Sequence, residues 1–154
     1  MERPTVDGPT ASLTVDADAE RLAEVRAFIR ARAAAAGASD EATADLVQAV
    51  DELACNVIEH GYGDAAGGPI EVDFDVEHDP DRIVVRIRDR APAFDPREAP
   101  VPRLDLPLEQ RPLGGMGIHL ARTLTDRMDH RILPGGGNEV VLTKALRSPE
   151  AAGG

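Results

Sequence analysis

Apolar and polar residues alternate with two different periods along this chain. Between residues 19 and 36, apolar residues recur at helical spacing, and Gly37 ends the pattern. A second helical pattern runs from an N-cap at Ser39 or Asp40 to about residue 60, where Gly61 closes it. The first part of the chain therefore predicts two helices, preceded by a short edge strand at residues 12–15.

The second half of the chain mostly alternates at every second residue, as strands do. Residues 70–76 alternate apolar with acidic side chains, and residues 83–88 carry arginines in their polar positions. An Asp-Pro-Asp turn at residues 79–81 joins the two into a hairpin, in which outward acids face outward arginines. Two more strands are predicted at about residues 128–133 and 139–145, joined by a glycine-rich loop.

A long segment between these strands follows neither period. Residues 90–113 hold six of the 12 prolines, and a loop of this length inside a domain is usually functional or mobile. The run GGMG at residues 114–117 then opens a third helix, Ile118 to about Asp126. The order β-α-α-β-β-loop-α-β-β segregates strands from helices. It predicts an α+β fold, a two-layer sandwich with helices on one face of a mostly antiparallel sheet.

Composition narrows the class of protein. The 154 residues fit one domain, predicted at residues 12–146 between a flexible tail (1–11) and a disordered tail (147–154). The net charge of -11 disfavours direct contact with nucleic acid or anionic membrane, so a bound nucleotide must be held locally. The single cysteine, Cys55, fits a reducing compartment. Without a signal peptide or a spanning apolar segment, we expect a cytoplasmic protein.

The second predicted helix carries an unusual pair of polar residues. Glu52 and Asn56 are four residues apart, so they share the helix face opposite the apolar stripe. This pattern is typical of a solvated face. However, Asn is unfavourable in mid-helix, its amide oxygen suits magnesium, and a nearby carboxylate can act as a general base.

Asp89 lies in an unexpected position on the second hairpin strand. Counting by twos from Ile83 through Ile87 places its carboxylate on the apolar side of the sheet, where it needs a hydrogen-bond partner. Either Asp89 accepts a hydrogen bond from a ligand amino group, or the strand has ended and Asp89 starts a turn.

The glycines before the third helix form a further candidate site. Gly114, Gly115 and Gly117 would let the backbone approach a phosphate near the free amides of a helix N-terminus. A plain loop-to-helix hinge explains them equally well, because the Lys-Ser/Thr ending of a Walker loop is missing.

Together, the three motifs resemble those of a known superfamily. The run ELACNVIEHGY at residues 52–62 resembles the N box of the GHKL (Bergerat-fold) ATPases. DRAPAFDP at residues 89–96 is similar to their adenine box, and GGMGI at residues 114–118 to their phosphate-binding glycine box. The short length, the run Glu-x-x-x-Asn-x-x-x-His-Gly-Tyr and the Phe-Asp-Pro ending most resemble the anti-sigma-factor serine/threonine kinases.

The resemblance implies a role for each matching residue. Asn56 would bind the magnesium of ATP, Glu52 would be the catalytic base, and Asp89 would accept from the adenine amino group. The remaining nucleotide-binding positions are expected at Ala91, Phe94, Gly114, Gly115, Met116 and Gly117. Residues 91–113 would form the ATP lid.

The resemblance also implies partners: a sigma factor, a small antagonist protein that is phosphorylated, or both. Homodimers are common among similar proteins.

Two departures from the family pattern leave an alternative open. Ala91 replaces the usual glycine of the adenine box, and Leu113 stands where kinases often have a basic residue that contacts the terminal phosphate. The alternative is a nucleotide-gated protein-binding module without kinase turnover. The detached catalytic domain of a histidine kinase is disfavoured, because no helical hairpin presents a phosphoacceptor histidine.

Overall fold

The described part of the chain contains five strands and three α-helices. A computed structural model describes residues 11–62, 67–78, 81–98, 105, 107 and 115–147. The main elements are β1 (Ala11–Asp16), α1 (Leu22–Ala35), α2 (Asp40–Asn56), β2 (Pro69–Glu77), β3 (Arg82–Asp89), α3 (Gly115–Leu124), β4 (Arg127–Ile132) and β5 (Asn138–Ala145). Shorter helical turns lie at Ala19–Arg21, Val57–Tyr62 and Pro96–Glu98.

The five strands form one sheet in the order β1-β2-β3-β5-β4, and every pair is antiparallel. This sheet and the helices confirm the predicted α+β sandwich. The register places Asp89 at the end of β3, opposite Ile70 on one side and Asn138 on the other. Among the described helices, none is long and apolar enough to cross a membrane.

The core lies between the helices and one face of the sheet. Alternate residues of β2 and β3 meet the apolar stripe of α2, as the two periods predict. Fully buried side chains of this kind each contribute about 1.5–3 kcal/mol to folding. The largest are Phe74, Ile29, Leu46, Ile70, Ile83, Ile87 and Leu142. The core therefore orients the strands and leaves their polar positions on the opposite face.

The opposite face of the sheet carries a ladder of ion pairs. Arg88 on β3 donates to Asp73 on β2 at 2.6 Å and to Glu139 on β5 at 2.9 Å. Arg131 on β4 donates to the other oxygen of Glu139 at 2.7 Å, and Ser12 on β1 donates to Asp73 at 2.7 Å. We call these five residues the charged ladder. They confirm that acids of one hairpin strand face arginines of the other.

Two helix boundaries agree with the sequence patterns. Gly37 adopts a φ of 84° after α1, a left-handed conformation that stops a helix and suits glycine. Ser39 caps α2, because its hydroxyl accepts a hydrogen bond from the Ala42 amide at 3.0 Å.

Two other boundaries were predicted wrongly. Regular α-helix ends at Asn56, and a π-helical turn continues through Gly61 to Tyr62, so Gly61 is not a left-handed cap. The third helix begins at Gly115 and not at Ile118, which places Gly115 and Gly117 in its first turn. Glycine can adopt helical angles as well as turn angles, so its presence alone does not mark a helix end.

Several sequence predictions fall outside the described residues. They are the tails at residues 1–10 and 148–154, the turn residues 79–80, and the segment at residues 99–104, 106 and 108–114, which holds most of the predicted lid. Gly114 lies in this segment, and for Met116 only the helical backbone is described.

Candidate functional site

A cavity of about 170 Å³ lies between the end of α2 and the adjoining ends of β3 and β5. Sites that enclose a whole drug-sized ligand typically measure about 300–1,000 Å³, so this cavity suits a single planar ring system. Its wall is largely apolar, with Leu53, Val57, Ile87 and Val140. Four polar side chains also line it: Asn56, His60, Asp89 and Asn138.

Asp89 is the buried acidic group of this cavity, with 5% of its surface exposed. Its Oδ1 accepts hydrogen bonds from the Ala91 amide at 2.9 Å and from Asn138 Nδ2 at 3.0 Å. Oδ2 has no hydrogen-bond partner among the described residues, so it can accept from a ligand. Of the two interpretations of Asp89, the structure supports the inward-facing carboxylate.

The surroundings of Asp89 alter its acidity. Burial raises the pKa of its carboxyl group, and the hydrogen bonds from Asn138 and Ala91 offset this only in part. Both donors are neutral amides, which stabilise a carboxylate less than an adjacent cation does. A ligand that donates to Oδ2 would therefore supply a hydrogen bond that the ionised carboxylate lacks in the free protein.

Asn138 is a site residue that the sequence motifs did not reveal. Its Nδ2 donates to Asp89 and to the Pro92 carbonyl at 3.1 Å, while its Oδ1 accepts from the Phe94 amide at 2.9 Å. Asn138 therefore fixes the position of both the Asp89 carboxylate and the backbone that follows β3. Counting by twos back from Leu142 through Val140 would have placed Asn138 on the core side, as it did for Asp89.

His130 on β4 completes this hydrogen-bond network. Its Nε2 lies 2.9 Å from Asn138 Oδ1, and its side chain is only 6% exposed. The orientation of the Asn138 amide is set by its contacts with Phe94 and Asp89, so Oδ1 must accept and His130 Nε2 must carry a proton. His130 thus supports Asn138 from β4 and does not itself line the cavity.

Tyr62 fixes the backbone just after Asp89. Its hydroxyl accepts a hydrogen bond from the Arg90 amide at 2.7 Å and donates to the Pro69 carbonyl at 2.9 Å. A side chain at Gly68 would collide with the tyrosine ring, so the start of β2 leaves room for it. The last residue of the π-helical turn therefore ties that turn to both β2 and β3.

Ala91, the departure from the glycine of the adenine box, is accommodated by a neighbouring glycine. Ala91 is 3% exposed and lines the cavity. A Cβ at Gly61 would lie 3.1 Å from the Ala91 methyl group, which is a tight contact. The missing side chain at Gly61 therefore provides space for the methyl at Ala91.

Phe94 lies at the mouth of the same cavity. Its ring is part of the lining, and the residue is 47% exposed. Since a large exposed aromatic side chain is available for contact, Phe94 can cover a ligand that occupies the cavity. The structure thus brings Asn56, Asp89, Ala91 and Phe94 together around one space.

Asn56 is the last α-helical residue of α2, directly before the π-helical turn. Its side chain faces the cavity and makes no hydrogen bond with any described residue. A free amide oxygen is a suitable magnesium ligand, and magnesium in nucleotide sites usually takes few protein ligands besides phosphates and water. No three His, Cys, Asp or Glu side chains of the described chain form a metal-binding group.

Glu52 lies one turn earlier on α2, outside the cavity lining. Its Oε1 accepts a hydrogen bond from Gln48 Nε2 at 2.8 Å. Its Oε2 lies against Gly117 in the first turn of α3. Glu52 and the α3 start are therefore in contact, while Asn56 and Asp89 share the cavity beside them.

This combination of fold and motifs agrees with comparison to known proteins. Residues 15–144 match the family described as the histidine kinase-like ATPase domain. The chain belongs to the histidine kinase-like ATPase domain family. This match confirms the resemblance to GHKL ATPases that the three motifs indicate.

Several relatives of this ATPase domain carry the name serine-protein kinase RsbW. The one from Listeria monocytogenes serovar 1/2a is 29% identical over 143 residues, covering 90% of this chain and 88% of the relative. The one from Bacillus velezensis is 28% identical over 141 residues, covering 87% and 84%. These relatives confirm the predicted resemblance to the serine/threonine kinases of the superfamily.

A solved structure shows the same fold. The crystal structure of the RsbU and RsbW domains of Rv1364c from Mycobacterium tuberculosis matches with a TM-score of 0.63 and 25% identity. The match covers 89% of this ATPase domain and 32% of that chain, so this chain spans about a third of the larger protein.

Proposed function

We propose that this protein is a cytoplasmic anti-sigma-factor serine/threonine kinase, which binds ATP and magnesium and phosphorylates a small antagonist protein. The observation that carries the proposal is the buried Asp89 carboxylate, with its free Oδ2 in an apolar cavity. The size and apolar lining of the cavity suit an adenine ring, whose exocyclic amino group would donate to Oδ2. The relatives named serine-protein kinase support the same reaction class.

The remaining site residues have roles outside the base-binding cavity. Asn56 would hold magnesium through its free amide oxygen, and bound magnesium would neutralise phosphate charge. The start of α3, at Gly115 and Gly117, would bind phosphate through free backbone amides. Gly114 and Met116 belong to the same proposed segment, and Phe94 would cover the base.

Phosphoryl transfer needs a base near the attacking hydroxyl. Glu52 would take the proton of a serine or threonine hydroxyl on the antagonist, while the oxygen of that hydroxyl forms a bond to the γ-phosphorus. The bond between that phosphorus and the bridging oxygen breaks, and ADP leaves with the electron pair. The contact between Glu52 and the α3 start supports this role, because it places the carboxylate beside the proposed phosphate site.

The test combines binding with turnover. Calorimetry with ATP and magnesium should show binding, and γ-labelled ATP should transfer label to antagonist proteins encoded in the same genome. Glu52→Gln should lower transfer by about 10²–10⁴-fold, the usual contribution of a general base, and leave ATP binding nearly unchanged. Asn56→Ala should weaken magnesium-dependent ATP binding, while the exposed Glu59→Ala on the next turn serves as its control.

The outcomes separate the two candidate functions. Binding without transfer to any antagonist would favour the nucleotide-gated module, for which Leu113 is the supporting observation. Absence of ATP binding would overturn both. Co-purification with a sigma factor, and its dependence on ATP, tests the partner part of the proposal.

A further inference from the structure

The contact between α2 and α3 places a glycine directly against Glu52. A Cβ built on Gly117 would overlap Glu52 Oε2 and would lie 3.4 Å from its Cδ and 3.7 Å from its Cβ. The overlap with Oε2 is closer than real Cβ atoms tolerate, so Glu52 could not keep this position beside any other residue.

The backbone does not explain why residue 117 is glycine. Gly117 lies within α3 and is absent from the glycines with positive φ, so any L-residue could adopt its conformation. Inside a helix, glycine is less favourable than alanine by about 0.5–1 kcal/mol. Glycine instead gives the Glu52 carboxylate the space that it occupies here.

The other carboxylate oxygen of Glu52 accepts a hydrogen bond from a residue of its own helix, α2. Gln48, one turn earlier, donates to Oε1 at 2.8 Å. The carboxylate therefore lies between an amide donor on α2 and the bare backbone of α3. Since Glu52 is half-buried and not enclosed, these two contacts restrict its position while leaving it accessible to a hydroxyl group.

We propose that Gly117 is a positioning residue for Glu52, because its missing side chain lets the carboxylate lie against the first turn of α3. This inference rests on the proposed function of Glu52 as the base. It assigns Gly117 a role in proton transfer that differs from contact with phosphate. If Gly117 acted only through phosphate, its substitution would chiefly weaken ATP binding.

The kinetic test is a rescue experiment with labelled ATP and the antagonist protein that the wild type phosphorylates. Gly117→Ala should lower kcat for transfer at least tenfold, with less than about a threefold change in the Kd for ATP measured by calorimetry. Glu52→Asp shortens the side chain by one methylene group, so it should lower kcat in the wild type but raise it in the Gly117→Ala background. His119→Ala, at an exposed position of α3, controls for changes to that helix.

A thermal measurement tests the same contact without turnover. Gly117→Ala should leave the Tm of the wild type nearly unchanged, because displacing the flexible end of Glu52 from Gln48 offsets the helix preference of alanine. In the Glu52→Ala background the same substitution should raise the Tm, because the overlap is gone and alanine favours the helix. This difference between the two backgrounds would hold even if the protein transferred no phosphate, so it separates the positioning role from the proposed kinase function.

Two results would overturn the positioning role. One is a loss of ATP affinity in Gly117→Ala as large as the loss of kcat. The other is an equal effect of Gly117→Ala on Tm with and without the Glu52 side chain.

Discussion

The two faces of the sheet hold carboxylates in opposite ways, although adjacent residues of the same two strands, β3 and β5, contribute to both faces. On the ladder face, burial would raise the pKa of Glu139, but hydrogen bonds from Arg131 and Arg88 outweigh it and lower the pKa. On the helix face, burial raises the pKa of Asp89, and no described arginine or lysine donates to it. Paired carboxylates serve stability, whereas a carboxylate supported only by neutral amides is available to a ligand.

The strongest way to test this difference is to neutralise Asp89. Asp89→Asn should weaken ATP binding about tenfold to a hundredfold, because a hydrogen bond to a charged group contributes about 1.5–3 kcal/mol. The free energy of unfolding should change little, since the fold does not favour the ionised form. Calorimetry and thermal melting measure the two effects. Glu139→Gln, which neutralises a buried carboxylate of the other face, should instead lower the Tm and leave the Kd for ATP unchanged.

Lowering the pH should weaken ATP binding nearly as much as Asp89→Asn does. As the pH falls through the raised pKa of Asp89, the carboxyl group protonates and ATP affinity declines. The pKa of Asp73 is lowered, because hydrogen bonds from Ser12 and Arg88 outweigh its burial, so its contribution to stability persists to lower pH. We therefore expect an acidic range in which the protein is folded but binds ATP weakly.

The measurement is a pH series of the Kd for ATP beside a pH series of thermal melting. Asp89→Asn supplies the correction for protonation of the nucleotide itself. Loss of binding and loss of fold at the same pH would contradict the difference between the faces.

The complementary substitution removes one of the two arginines of the charged ladder. Arg88→Met should destabilise the fold by about 2 kcal/mol, less than for a fully buried pair because the Arg88 side chain is 25% exposed. The Tm should fall by about 4–8 °C. ATP affinity at a temperature where the variant is folded should equal that of the wild type, and a large change in affinity would show that the faces are coupled.

A smaller effect is expected from the residue that supports Asp89. Asn138→Ala removes a donor to Oδ1 and the acceptor for the Phe94 amide, so ATP affinity should fall about tenfold, equivalent to about 1.4 kcal/mol. Thr143→Ala on the same strand is the control and should bind ATP normally. If Asn138→Ala bound ATP as tightly as the wild type, the amide would be structural and not part of the site.

The sequence predicts well which face of the sheet each strand residue occupies, because side chains alternate along a strand with a strict period of two. That period places Asp89 inside and the arginines of β3 outside. It did not reveal Asn138, because three glycines precede that residue and β5 was expected to begin one residue later, at Glu139. The hydrogen bond between Asn138 and Asp89 joins residues 49 positions apart, and only the pairing of β3 with β5 brings them together.

Helix ends were harder to predict from local patterns. Gly61 and Gly117 both suggest places where a helix stops or starts, yet both lie inside helical turns. Each lies against a distant side chain: the methyl of Ala91 for one and the carboxylate of Glu52 for the other. Contacts of this kind depend on tertiary packing, which local residue preferences do not encode.

Tyr62 gives this protein a built-in optical probe of its cavity. The chain has one tyrosine and no tryptophan, so its intrinsic ultraviolet fluorescence comes almost entirely from this ring. The ring is buried, and its hydroxyl bonds to the Arg90 amide, next to Asp89. Emission from a single natural chromophore can therefore follow events at the cavity without any label.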